Sequence, residues 1–162
     1  MRRGTGVCCD ALLRDAPPFP VSEGVRPRHV ALDPVPSSVG LARRFVSDVL
    51  VDLADDRRDV ALLLTSELVT NAILHARTPV ELSVVVEGDK VLVCVGDRLE
   101  VSDALVAHDH SRTRPGGRGL ALVADLSSAW GTHAHVGGKT VWFVLPDEAV
   151  GPAGTPDSLR AG

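Results

Sequence analysis

The sequence predicts an α+β fold: a two-layer α/β sandwich, with a mixed but mostly antiparallel sheet covered on one face by about three helices. Three observations carry that expectation. Strand and helix signals follow the order strand, helix, helix, strand, strand, long loop, helix, strand, strand, with no βαβ alternation. Two pairs of strand signals meet at short glycine turns, Gly88-Asp89 and Gly137-Gly138, as hairpins do. The two consecutive helix signals between the first and second strands are long enough to roof a sheet.

Residues 1–27 hold Pro17, Pro18, Pro20 and Pro27 and keep no period of 2 or 3.6, so a flexible N-terminal tail is expected there. His29 to Leu32 reads as a short strand. Pro36-Ser37-Ser38 opens a helix with Ser37 or Ser38 as its N-cap. Val39, Leu41, Ala42, Phe45, Val46, Val49 and Leu50 give that helix an apolar face. Asp55-Asp56 starts a second helix running to about Ala76. Val80 to Glu87 is a valine-rich strand, and Lys90 to Val95 returns antiparallel to it. Residues 97–115 form a polar connection, a length that is usually functional in a compact domain. A helix is expected from Leu120 to about Leu126, then strands from Trp130 to His135 and from Lys139 to Leu145. The last stretch, 147–162, is rich in Gly, Pro and Ala and is expected to be a flexible C-terminal tail. The domain proper is expected to span 28–146.

Composition narrows the function. The 162 residues suit one domain, and an apolar fraction of 44% fills a core. A net charge of −4 with no Lys/Arg run argues against a nucleic-acid surface. No apolar run reaches the roughly 18 residues of a membrane span, and Met1-Arg2-Arg3-Gly4 is not followed by a signal-peptide core. The three cysteines, Cys8, Cys9 and Cys94, fit small or idle thiols in a reducing compartment better than a disulfide or zinc site. A cytoplasmic location is expected.

The chemistry concentrates in the second helix. Glu67 and Asn71 are four residues apart, on one face of a mostly apolar stretch. Buried polar groups need partners, and a hard metal ion with phosphate oxygens satisfies both. Two caps on neighbouring loops would satisfy them equally. His75 continues the same face. Gly116-Gly117-Arg118-Gly119 precedes a helix start, where open N–H groups and the dipole favour an anion. A hinge before a helix reads the same way. Gly137-Gly138-Lys139-Thr140 mimics the end of a P-loop, but His133 stands where the first glycine belongs and a strand follows. No Rossmann GxGxxG unit and no GxSxG elbow is present.

Together, the Glu67-to-His75 helix, Asp97 at a strand end, the long loop, Gly116-Gly-Arg-Gly119-Leu120 and Gly-Gly-Lys-Thr140-Val-Trp resemble the Bergerat ATP-binding fold. Histidine kinases, type II topoisomerases and MutL-type proteins share it. The branch it looks most like is the anti-sigma factor serine kinases of the small stand-alone actinobacterial type. The resemblance covers about residues 29 to 145. It implies ATP and Mg²⁺ as cofactors, with Asn71 holding the metal and Glu67 acting as general base. It implies Asp97 on the adenine amino group, Thr140 beside it, and Gly116, Gly117, Arg118, Gly119 and Leu120 around the phosphates, with His75 near the pocket. It further implies a sigma factor and a STAS-like anti-sigma antagonist as partners, and a homodimer. One departure stands out: Arg98-Leu99-Glu100 follows Asp97 where the family places a small or glycine-containing run. A catalytically weak nucleotide-binding or partner-binding module of the same fold is the alternative expectation.

Overall fold

The computed structural model describes residues 7–98 and 117–147. Most of the expected long loop, Gly116 and the C-terminal tail from residue 148 lie outside the described residues. Strand β1 spans Arg28–Leu32, helix α2 Ser38–Val49, helix α3 Asp55–Ala76, strand β2 Val80–Glu87 and strand β3 Lys90–Asp97. Helix α4 (Gly117–Leu126), strand β4 (Ala129–His135) and strand β5 (Gly138–Val144) follow. Ahead of them all, helix α1 occupies Val7–Asp15.

The strands form one sheet in the order β1-β2-β3-β5-β4. Every pairing is antiparallel, so the expected mixed character is absent among the described strands. Period-2 alternation then sorts the side chains. Val30, Leu82, Val84, Val93 and Phe143 face the layer of α2, α3 and α4, meeting Phe45, Val46, Leu64, Leu68 and Val123 in the larger core. Ser37 is the α2 N-cap residue but makes no side-chain cap hydrogen bond, and Ser38 is buried instead.

The second face of the sheet departs from expectation. Residues 1–27 are not wholly a tail: α1 lies across Val85, Leu92, Cys94 and Val144, burying Cys9 and Leu12 there. Leu13, Phe19, Val21 and Val25 pack along the same patch. The reason is the composition of the strands. β3 and β5 carry apolar residues on both faces, and β2 adds Val85 to the second face, so leaving it bare would expose a contiguous apolar patch. The sheet is therefore covered on both sides. Among the described residues no helix is long and apolar enough to cross a membrane.

Arg57 joins the layers at one end. It is 8% exposed; its Nε donates to the Pro146 carbonyl at 2.9 Å and a terminal NH₂ group to the Asp89 carbonyl at 2.8 Å. The start of α3 is thereby tied to the β2–β3 turn and to the chain leaving β5.

Candidate functional site

Helix α3 sets the site's main wall. Asp55 and Asp56 sit in its first turn, where carboxylates complement the helix dipole. Its buried stripe, Ala61, Leu64, Leu68, Val69 and Ala72, seats it on the sheet. It ends at Arg77, whose φ of 52° is the left-handed cap conformation. That seating leaves Glu67 and Asn71 half-buried on one side of the helix.

The first turn of α4 lies against that pair. A Cβ placed on Gly119 would stand 2.7 Å from Glu67 Oε2, 3.2 Å from Glu67 Cβ and 3.3 Å from Asn71 Nδ2. Only a glycine permits so close an approach. The carboxylate, the carboxamide and a helix N-terminus, from two separate segments, thus converge. The first N–H groups of a helix have no intrahelical partner, so the cluster combines an anion-binding backbone with two oxygen donors. Those are the groups that a magnesium ion and phosphate oxygens require, and the missing Cβ at 119 lets the helix end come into direct contact with both side chains. The residues present fit a metal-bound polyphosphate.

The other predicted residues around this turn differ in placement. Gly117 is the first residue of α4. Arg118 is exposed, and Leu120 is half-buried against the larger core, anchoring the turn. His75 lies one turn beyond Asn71 and is exposed. Gly116 lies outside the described residues.

Asp97 ends β3 and shares the face of Val91, Val93 and Val95, the face on which α3 packs. It is 6% exposed. The hairpin of β4 and β5 presses on it: a Cβ on Gly138 would come within 1.9 Å of the Asp97 carbonyl oxygen. On the other side, the Arg98 N–H donates to Thr78 Oγ1 at 3.0 Å, fixing the chain as it leaves the strand.

Register corrects one assignment. Asp97 is paired with Lys139, and Gly96 with Thr140. Paired residues share a face, and neighbours along a strand do not. Lys139 therefore stands on the Asp97 side, with its Nζ 3.9 Å from Asp97 Oδ2. Thr140 points to the opposite face with Trp142 and Val144, where it is buried and meets His135 Nε2 at 3.2 Å. Lys139, rather than Thr140, thus shares the Asp97 face. In the sequence Lys139, Val141 and Phe143 alternate with Thr140, Trp142 and Val144, which separates the two sets but does not say which of them shares the Asp97 face.

Comparison with known proteins follows this geometry. The sequence profile of the histidine kinase-like ATPase domain matches residues 32–145. Among solved structures, the RsbU and RsbW domains of Rv1364c from Mycobacterium tuberculosis superpose with a TM-score of 0.56 at 20% identity. That alignment covers 74% of this chain and 32% of the other, so the chain matches about a third of that protein's length. The nucleotide-free catalytic domain of the histidine kinase ThkA aligns with a TM-score of 0.49 at 16% identity, over 74% of this chain and 96% of that one. No curated protein sequence matches.

Proposed function

The chain belongs to the histidine kinase-like ATPase domain family, and from that premise we propose that it is an ATP- and Mg²⁺-dependent protein serine kinase of the anti-sigma type. It holds a sigma factor and phosphorylates a serine on a STAS-like antagonist. The observation that carries this reading is the approach of Gly119 to Glu67 and Asn71. A carboxylate, a carboxamide and a helix N-terminus within one contact shell support a base, a metal ligand and a phosphate site there.

The resemblance of the motifs implies a role for each residue, and the chemistry of each side chain suits it. Asn71 offers its amide oxygen to Mg²⁺. When bound, the magnesium triphosphate supplies the transferable phosphoryl group, and the metal offsets its charge. Glu67 accepts the proton of the attacking serine hydroxyl. The first-turn N–H groups of α4, bared by Gly117 and Gly119, receive phosphate oxygens, and exposed Arg118 adds positive charge. Asp97, an acceptor when ionised, receives a hydrogen bond from the adenine amino group. His75 borders the outer end of the pocket. The sigma factor and the antagonist come from the resemblance of the motifs, not from a surface.

A second reading is favoured by the Lys139–Asp97 pair. A cation 3.9 Å from the adenine-reading carboxylate competes for its lone pairs. The chain would then be a weak nucleotide or partner module without transfer. One assay separates the two. The chain is incubated with Mg²⁺, γ-labelled ATP and a STAS-domain antagonist. The kinase reading expects label on the antagonist, and Glu67→Ala to cut transfer about 100-fold or more while ATP affinity holds within about threefold. ATP binding with no transfer by the wild-type chain selects the second reading. Transfer by Glu67→Ala at the wild-type rate removes Glu67 from the role of base.

A further inference from the structure

We propose that Cys9 and Cys94 form a redox-modification site, at which an oxidant of the peroxide class joins them in a disulfide that ties α1 to the central strand β3. The proposal stands apart from the nucleotide reading and survives its failure. Both residues are fully buried, and their sulfurs lie 3.3 Å apart. A disulfide is about 2.0 Å long, so each sulfur need move by less than about one ångström. The two residues are 85 positions apart in the chain. Only the docking of α1 on the second face of the sheet brings them together.

The surroundings suit a bridge that forms and reverses. Cys94 sits mid-strand, flanked across the sheet by Ser83 and Trp142, which hold its backbone in place. Cys9 rides on a nine-residue helix. α1 meets the sheet through apolar contacts, and near its end Asp15 Oδ2 lies 3.3 Å from His133 Nε2. A helix so short opens locally at low cost, and its opening presents Cys9 to solvent while Cys94 stays seated in the sheet.

The chemistry balances with one peroxide. The Cys9 thiolate attacks a peroxide oxygen, the O–O bond breaks, and the departing hydroxide takes a proton to become water. Cys9 is then a sulfenic acid. When α1 re-docks, the Cys94 thiolate attacks the Cys9 sulfur. The S–O bond breaks, the S–S bond forms, and hydroxide leaves as a second water once protonated. Two thiols lose two electrons in all, and the peroxide gains them.

The test uses the full chain, reduced and then treated with hydrogen peroxide. The proposal expects an intact mass lower by two hydrogens, a mapped Cys9–Cys94 bridge and one thiol, Cys8, still open to alkylation after unfolding. The melting temperature should rise by on the order of 10 °C and fall back with dithiothreitol. Cys8→Ser keeps the bridge and the shift, and Cys9→Ser abolishes both. Should Cys94→Ala fold poorly, the mapped bridge and the Cys9→Ser result still decide. Three alkylatable thiols after peroxide, a bridge containing Cys8, or sulfinic acid at Cys9 beside a free Cys94 would each overturn it.

Discussion

Alanine at position 119 adds a single methyl group where two candidate functional side chains meet. Within a helix, Gly→Ala ordinarily gains up to about 1 kcal/mol. Here the new Cβ meets Glu67 Oε2 at 2.7 Å and Glu67 Cβ at 3.2 Å. The oxygen, at the end of a flexible side chain, can swing away; the Cβ, fixed to the helix, cannot. The expected outcome is a fold as stable as wild type, within a few tenths of a kcal/mol, and an ATP affinity about tenfold weaker by calorimetry. Unchanged affinity would separate the glycine from the pocket. At this scale the sequence was informative where spacing alone suffices. Glu67 and Asn71 are legible because i and i+4 share a helix face whatever the helix packs on. Lys139 was not, because the face that a strand residue takes depends on how its hairpin aligns with β3. A shift of one residue exchanges Lys139 for Thr140.

Among the described elements α3 is the longest, and Arg57 shows what holds its start. Its guanidinium satisfies the carbonyls of Asp89 and Pro146 from a nearly buried position. Arg57→Met keeps much of the stem's packing and removes the donors, leaving two carbonyls short of a partner. A loss of about 2–4 kcal/mol is expected, read as a lower denaturant midpoint at constant slope. A loss below about 0.5 kcal/mol would mean that water replaces the arginine. The strand pair Val80–Glu87 and Lys90–Asp97 and the span of α3 were legible from alternation and from the aspartates at the helix start. Helix α1 was not. Its apolar positions, Cys9, Leu12 and Leu13, do follow helical spacing, but over little more than one turn, and the prolines from 17 to 27 dominate the segment. Short helices draw their stability from what they pack on, and the sheet face that buries α1 is assembled from residues more than seventy positions away.

For the whole molecule, a ligand bound only by the folded chain must raise its melting temperature. At Mg·ATP a hundredfold above its Kd, the gain is about 2.7 kcal/mol, or roughly 5–11 °C for a chain of this size. Differential scanning fluorimetry with ATP, with and without Mg²⁺, reads it. The metal-dependent part should vanish in Asn71→Ala, and no shift at any concentration would sink the nucleotide reading. The general architecture was accessible from element order, because antiparallel hairpins and consecutive helices leave few ways to build a layered domain. The second cover on the sheet was not, since it depends on a distant segment finding the bare face. The middle strand shows a carboxylate, Asp97, to one side and a thiol, Cys94, to the other, three positions apart. Because odd and even positions look opposite ways, a single codon inserted between the two would turn the acid toward the sulfur's compartment. The strand therefore works as a two-sided ruler, on which neither chemistry can be reset by one notch without displacing the other.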